Sequence, residues 1–137
     1  MLDKTVHELL NQQINKEFYS AYLYLDFSNY FKAAGLDGFA NWYMIQAQEE
    51  RDHAMLFYTY LQNEDMPVTL EAIDKPDKVF TCHMDVLKAG LEHERYVTSL
   101  INDIYGARLT TQEISAPCSS LTGSSRSRAR RRPTPTI

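Results

Sequence analysis

The stretch YMIQAQEERDHAMLFYTY, residues 43–60, decides the fold. Tyr43, Gln46, Glu50, His53, Phe57 and Tyr60 recur along it in alternating steps of three and four, the period of one helix face. Such a face packs against a neighbouring helix and favours apolar side chains. Glu50 and His53 interrupt it at its middle, a long way from either helix end and from water. A buried, unpaired carboxylate costs several kcal/mol, so this helix is either not buried on that face or its acid has a partner.

Two further segments carry the same period. The first runs from about Thr5 to Ala33, with the stripe Leu10, Ile14, Glu17, Ala21, Tyr24, Ser28, Phe31. The second helix, which holds Phe39 and the quoted stretch, follows the turn at 35–38 and continues to about Asn63. The third spans about Thr81 to Tyr105, with Phe80, His83, Leu87, Gly90, Glu94, Val97, Ile101 and Ile104 as its stripe and Gly106 as its stop signal. No segment alternates as a strand does. The turn at Gly35–Gly38 is short, so the first two helices are antiparallel neighbours. Residues 64–80, broken by Pro67 and Pro76, are too long for a hairpin. Extended, they reach on the order of 55 Å, against about 39 Å for a helix of about 26 residues. The loop can therefore cross the whole bundle and set the third helix parallel to the second. The expected fold is all-α: three long helices with one long crossover.

Each stripe is broken by an acid near mid-helix: Glu17 on the first, Glu50 with His53 on the second, Glu94 on the third. Converging carboxylates repel one another as well as losing water. A multivalent cation reverses all of these costs together. A set of carboxylates with one imidazole suits iron or manganese better than zinc, which prefers sulfur and nitrogen. Glu50 and His53 alone, as Glu-x-x-His, would be a weak signal; the matching acids on two other helices strengthen it.

Residues 1–107 resemble the bacterial non-haem ferritins, in the order helix, short turn, helix, long loop, helix. The resemblance is carried by Glu17 and Tyr24 in NKEFYSAYLY, by Glu49, Glu50 and His53 in AQEERDH, and by Glu94 in LEHERY. It implies a ferritin-like helical bundle that binds iron at a di-iron centre. Glu50 would bridge two irons, Glu17 and His53 would complete one position, and Glu94 would serve the other. It implies a third iron position at Glu49, and a redox-active tyrosine at Tyr24 that hydrogen-bonds the iron site. On physics alone Tyr24 is equally a core aromatic and Glu49 equally a surface acid. His83, near a helix start, reads as a capping or packing residue. Tyr19, Tyr22, Phe27 and Tyr30 read as packing or subunit contact. The implied activity is ferroxidase: Fe(II) oxidised by O2, with ferric mineral stored in a homo-oligomeric cage.

Composition sets the bounds. A chain of 137 residues with 44% hydrophobic and 23% charged residues is ordinary for one globular domain. No run approaches the roughly 18 apolar residues that would make a membrane a partner. Cys82 and Cys118 share no metal or disulfide spacing, and the polar N-terminus is unlike a signal peptide, so the expected location is cytoplasmic. Residues 1–107 hold 17 acids against 8 bases, whereas 108–137 hold 6 arginines against Glu113 alone. All aromatics lie at or before Tyr105. We therefore place a ferritin-like di-iron domain at 1–107 and an irregular, disordered Ser/Thr/Arg/Pro tail at 108–137. The tail reads as a frame-shifted or unrelated extension, and nothing in it matches the fourth and fifth helices of ferritins. That absence would leave the bundle incomplete and storage impaired. Two other readings are a rubrerythrin-type peroxidase, which lacks here its Cys-x-x-Cys module, and a non-enzymatic nucleic-acid-associated protein acting through the arginines. The acidic body argues against nucleic acid as a partner.

No haem is expected. Bacterioferritins carry a methionine haem ligand directly after the bridging glutamate, and here that position is Arg51. Protein purified after haem supplementation should show no Soret band; a band would contradict this.

Overall fold

The computed structural model describes residues 3–115, and their side chains through residue 110. Three helices occupy most of them: α1 Lys4–Ala33, α2 Asp37–Asn63 and α3 His83–Ser115. Asp3 opens α1, its carboxylate accepting from the Thr5 amide at 3.2 Å. The turn into α2 follows from Gly35, whose φ of 75° is open to glycine and which lets the Leu36 amide reach the Phe31 carbonyl at 2.9 Å. α2 ends in the same way with Asp65 at φ 53° and the Met66 amide on the Leu61 carbonyl.

The connection at 64–82 is a strap lying along α1. His7 Nε2 donates to the Pro67 carbonyl at 2.7 Å. Asn11 donates to the Thr69 carbonyl at 3.1 Å and accepts from the Thr69 amide at 2.9 Å. Asn15 donates to the Ala72 carbonyl at 3.0 Å, and Phe80 and His83 then meet Tyr30. A polar stripe at steps of four on α1 thus supplies the hydrogen bonds that an isolated extended strand lacks. The strap climbs α1 from its first turns to its last, so α3 descends parallel to α2, as the loop length indicated.

α1 lies between the other two helices, and the backbones of α2 and α3 stay apart. Every stripe residue expected on α1 is buried. On α2 the face against α1 is turned by about one residue from the expected stripe: Ala40, Tyr43, Ala47, Glu50, Ala54 and Leu61 are buried, while Phe39 and His53 are exposed. The three alanines explain this, because small side chains let two helices approach closely and larger ones do not. Phe39, Phe57 and Tyr60 instead border the groove between α2 and α3. On α3 the packed residues are Val86, Gly90 and Val97, with His83, Ile101 and, against the expectation of a buried acid, Glu94 exposed. α3 also passes the stop expected at Gly106. Ile104 and Ala107, on either side of that glycine, pack against Val6, Leu10 and Leu61, and this contact outweighs the roughly 1 kcal/mol cost of an interior glycine. Most of the basic tail expected from residue 108, from 116 onward, lies outside the described residues.

The apolar core is in two parts. One, around Leu23, Tyr24, Phe27, Phe31, Ala40, Tyr43, Ala47 and Val86, fills the end nearest the short turn. The other, around Val6, Leu10, Ile14 and Leu61, fills the far end. Glu17, Glu50 and His53 lie between them.

α2 and α3 meet near the site through Tyr43 and Gly90. A Cβ at Gly90 would stand 2.5 Å from Tyr43 Oη. That ring cannot easily yield, since it stacks on Phe31 at 5.7 Å and meets Phe27 edge-on at 5.3 Å. Gly90→Ala should therefore destabilise by about 1–2 kcal/mol, overpacking outweighing the gain in helix propensity. Adding Tyr43→Phe should restore much of the loss by removing the hydroxyl. Thermal melts showing Gly90→Ala as stable as the parent would contradict this.

Candidate metal centre

Glu17 is fully buried and Glu50 is 6% exposed, on facing helices. Their Oε2 atoms have no hydrogen-bond donor among the described residues. Both point toward one imidazole nitrogen: His53 Nδ1 lies 3.9 Å from Glu17 Oε2 and 3.6 Å from Glu50 Oε2. One ligating atom from each of the three lies within 4.8 Å of the others. The His53 side chain is about half exposed, so the cluster is open to solvent through its imidazole.

Bare acceptor oxygens are an unfavourable thing to bury unless a proton or a cation lies between them. The Glu50 carboxyl is accordingly pushed up to about 9, first by burial, then by the facing Glu17 carboxylate, with Glu94 and Glu49 adding to it. Once that proton is displaced, the two carboxylates and the one imidazole form a compact donor set that fits a divalent cation of oxygen and nitrogen preference.

Glu94 stands at the same level on α3, facing the groove. The Tyr24 hydroxyl donates to its Oε1. Burial and this bond raise the Tyr24 pKa far above the ordinary phenol value, so the hydroxyl stays protonated and remains a donor. Glu94 is outside the three-residue cluster but close enough to act on Glu50 electrostatically. Glu49 is exposed on the next face of α2 and has no part in the cluster. His83 is the first residue of α3 and its Nδ1 hydrogen-bonds the Tyr30 hydroxyl at 2.9 Å, which is packing rather than ligation.

Three supporting residues escaped the sequence reading. Gln13, one turn before Glu17, donates through Nε2 to Glu17 Oε1 at 3.0 Å. Ser20 donates to the Lys16 carbonyl at 2.9 Å, so His93 Nε2–H donates to its Oγ at 2.7 Å. His93 also meets the Tyr24 ring edge-on at 5.7 Å. Gln13 and Ser20 flank Glu17 at helical spacing, and His93 adjoins Glu94. Those positions are the available signal, but their chemistry is that of any polar helix residue.

Two apolar cavities flank the level of the acids in the α2–α3 groove. One of about 580 Å³ is walled by Phe39, Trp42, Tyr43, Leu87 and Leu91, with Tyr24 and Glu94 at its inner end. The other, about 370 Å³, is lined among others by Leu56, Phe57, Tyr60, Ile101 and Tyr105. Among the described residues no helix is long and apolar enough to cross a membrane.

Comparison with known proteins gives a consistent result. Residues 7–112 match the family model for the ferritin-like domain. A bacterial non-heme ferritin from Campylobacter jejuni is 40% identical over 115 residues, covering 84% of this chain and 69% of that protein. The open-pore ferritin of the archaeon Archaeoglobus fulgidus superposes with a TM-score of 0.79 at 34% identity, over 83% of this chain and 70% of that one. The Chlorobium tepidum ferritin does so with a TM-score of 0.79 at 31% identity, over 84% and 71%.

The Glu50 shift has a consequence for stability. In the unfolded chain a glutamate loses its proton near 4.3, whereas folded Glu50 holds it to about 9. Between those values the folded state binds the extra proton, so stability falls as pH rises. The Tm of metal-free protein should drop from about pH 5 to about pH 9, and Glu50→Gln should flatten the profile. Melts in a chelating buffer that show no decline for the parent would contradict the placement of Glu50.

Proposed function

This chain belongs to the ferritin-like family, and we propose that it serves iron storage, with Fe(II) as the substrate of a ferroxidase site at Glu17, Glu50, His53 and Glu94. The observation that carries this reading is the pair of buried, donorless carboxylate oxygens facing one imidazole. Such an arrangement is costly without a cation and favourable with one.

In this reading Glu50 lies between two iron positions. Glu17 and His53 hold one iron, and Glu94 reaches the other from α3. Two Fe(II) ions held side by side would each give up one electron to O2, which with two protons would leave as hydrogen peroxide, and the ferric product would move on to the mineral. The chain's own groups supply position and charge. The carboxylate set lowers the energy of the more highly charged ferric state more than that of the ferrous state. Tyr24 keeps Glu94 oriented through its protonated hydroxyl and is the redox-active tyrosine of this reading. Glu49, on the exposed face of α2, is a third iron position outside the centre. The acidic body, with 17 acids against 8 bases in residues 1–107, favours cation entry. The homo-oligomeric cage of the family belongs to the same proposal, as does a cytoplasmic location.

Glu50→Ala removes the group shared by both positions. Rapid Fe(II) oxidation should fall by about 100-fold or more, as expected when an interaction worth about 3 kcal/mol or more is lost. Glu17→Ala and Glu94→Ala should weaken one position each and leave slow oxidation. Stopped-flow absorbance of ferric product measures all three, and a Glu50→Ala protein that oxidises iron at the parent rate would overturn the proposal.

A further inference from the structure

Gln13 is 2% exposed, in the first half of α1 and one turn before Glu17. A buried primary amide is costly unless its groups are used. Its Nε2 donates to Glu17 Oε1 at 3.0 Å, one helical turn ahead. Among the described residues this is the hydrogen bond that the Glu17 carboxylate receives. Glu17 Oε2 receives none and faces His53 and Glu50. The two oxygens of one carboxylate are chemically equivalent, so their unequal surroundings come from the protein.

We propose that Gln13 is a positioning residue for the candidate metal centre, clamping one oxygen of Glu17 so that the other alone is presented to a divalent cation beside His53. The inference rests on the metal-site reading above. The clamp acts in two ways. It stops rotation about the last side-chain bond of Glu17, so the ligand is oriented before the cation arrives and less freedom is lost on binding. It also occupies Oε1, so Glu17 binds through one oxygen and the neighbouring position is left to Glu50. Hydrogen-bonded partners behind a first ligand characteristically change metal affinity by about 10–100-fold when removed.

The test is Co(II) binding by the full chain, followed through the visible absorption of the ion. Gln13→Met nearly keeps the volume and removes the donor. Gln13→Glu keeps the shape and turns the donor into an acceptor. Both should bind Co(II) about 10–100-fold more weakly than the parent. Their absorption bands should lose intensity as Glu17 becomes free to ligate through both oxygens and the coordination number rises. Gln12→Met, one position away on the exposed face, should match the parent. A purely structural role for Gln13 would lower Tm but leave affinity and spectrum unchanged. Parent-like Co(II) affinity and spectrum in a folded Gln13→Met or Gln13→Glu protein would overturn this inference alone. A parent chain that binds no Co(II) would overturn the metal-site reading and this inference with it.

Discussion

Two carboxylates buried face to face are the constraint on which the rest of this molecule depends. Glu17 and Glu50 meet across the α1–α2 interface with one oxygen each left bare. Leucine at either position would pack better and carry no desolvation cost. The protein tolerates the pair by building apolar contact on both sides of it. The aromatic cluster around Phe27, Phe31 and Tyr43 lies toward the turn, and the aliphatic cluster around Leu10, Ile14 and Leu61 lies beyond. The helices are thus held together at their ends, and the acids are carried at mid-height where water does not reach them.

α1 is the element through which this is organised. It contributes Glu17 to the centre, Gln13 behind that ligand, Tyr24 to Glu94, and Ser20 to His93. Its opposite side carries His7, Asn11 and Asn15, which hold the strap. The strap decides the direction of α3. A short connection from α2 would have returned α3 antiparallel to it, as in a simple up-and-down bundle. A connection pinned along the length of α1 makes α2 and α3 parallel, which brings Glu94 to the level of Glu50. The direction of a helix and the placing of one acid are therefore both consequences of amide side chains on α1.

Much of this was legible beforehand, and particular residues show why. Every residue of the α1 stripe from Leu10 to Phe31 is buried, but so are Gln13, Ser20, Leu23 and Phe27 beside it, because α1 is covered by both other helices. The α2 stripe was read about one residue out of phase. Its large residues, Phe39, Phe57 and Tyr60, line the groove with α3, while the contact with α1 is made by alanines, which carry little hydrophobic signal. The helix stop at Gly106 was misplaced because a glycine ends a helix only where packing does not carry it on, and Ile104 and Ala107 do so here. Gln13, Ser20 and His93 gave no signal, since an amide, a hydroxyl or an imidazole on a helix is ordinary until its neighbour is known.

The sequence by itself determined the all-α class, the three long helices, the crossover and the identity of the acids that interrupt the apolar stripes. These depend on local periodicity, chain length and the cost of burying charge, all of which are properties of the chain. Tertiary structure alone decided which oxygen of each carboxylate is bare, that the Tyr24 hydroxyl reaches Glu94, and that Ser20 meets His93. Those outcomes depend on the rotation and offset of one helix against another. Small side chains such as Ala47 and Gly90 govern those offsets through close approach, which no periodicity in the sequence records.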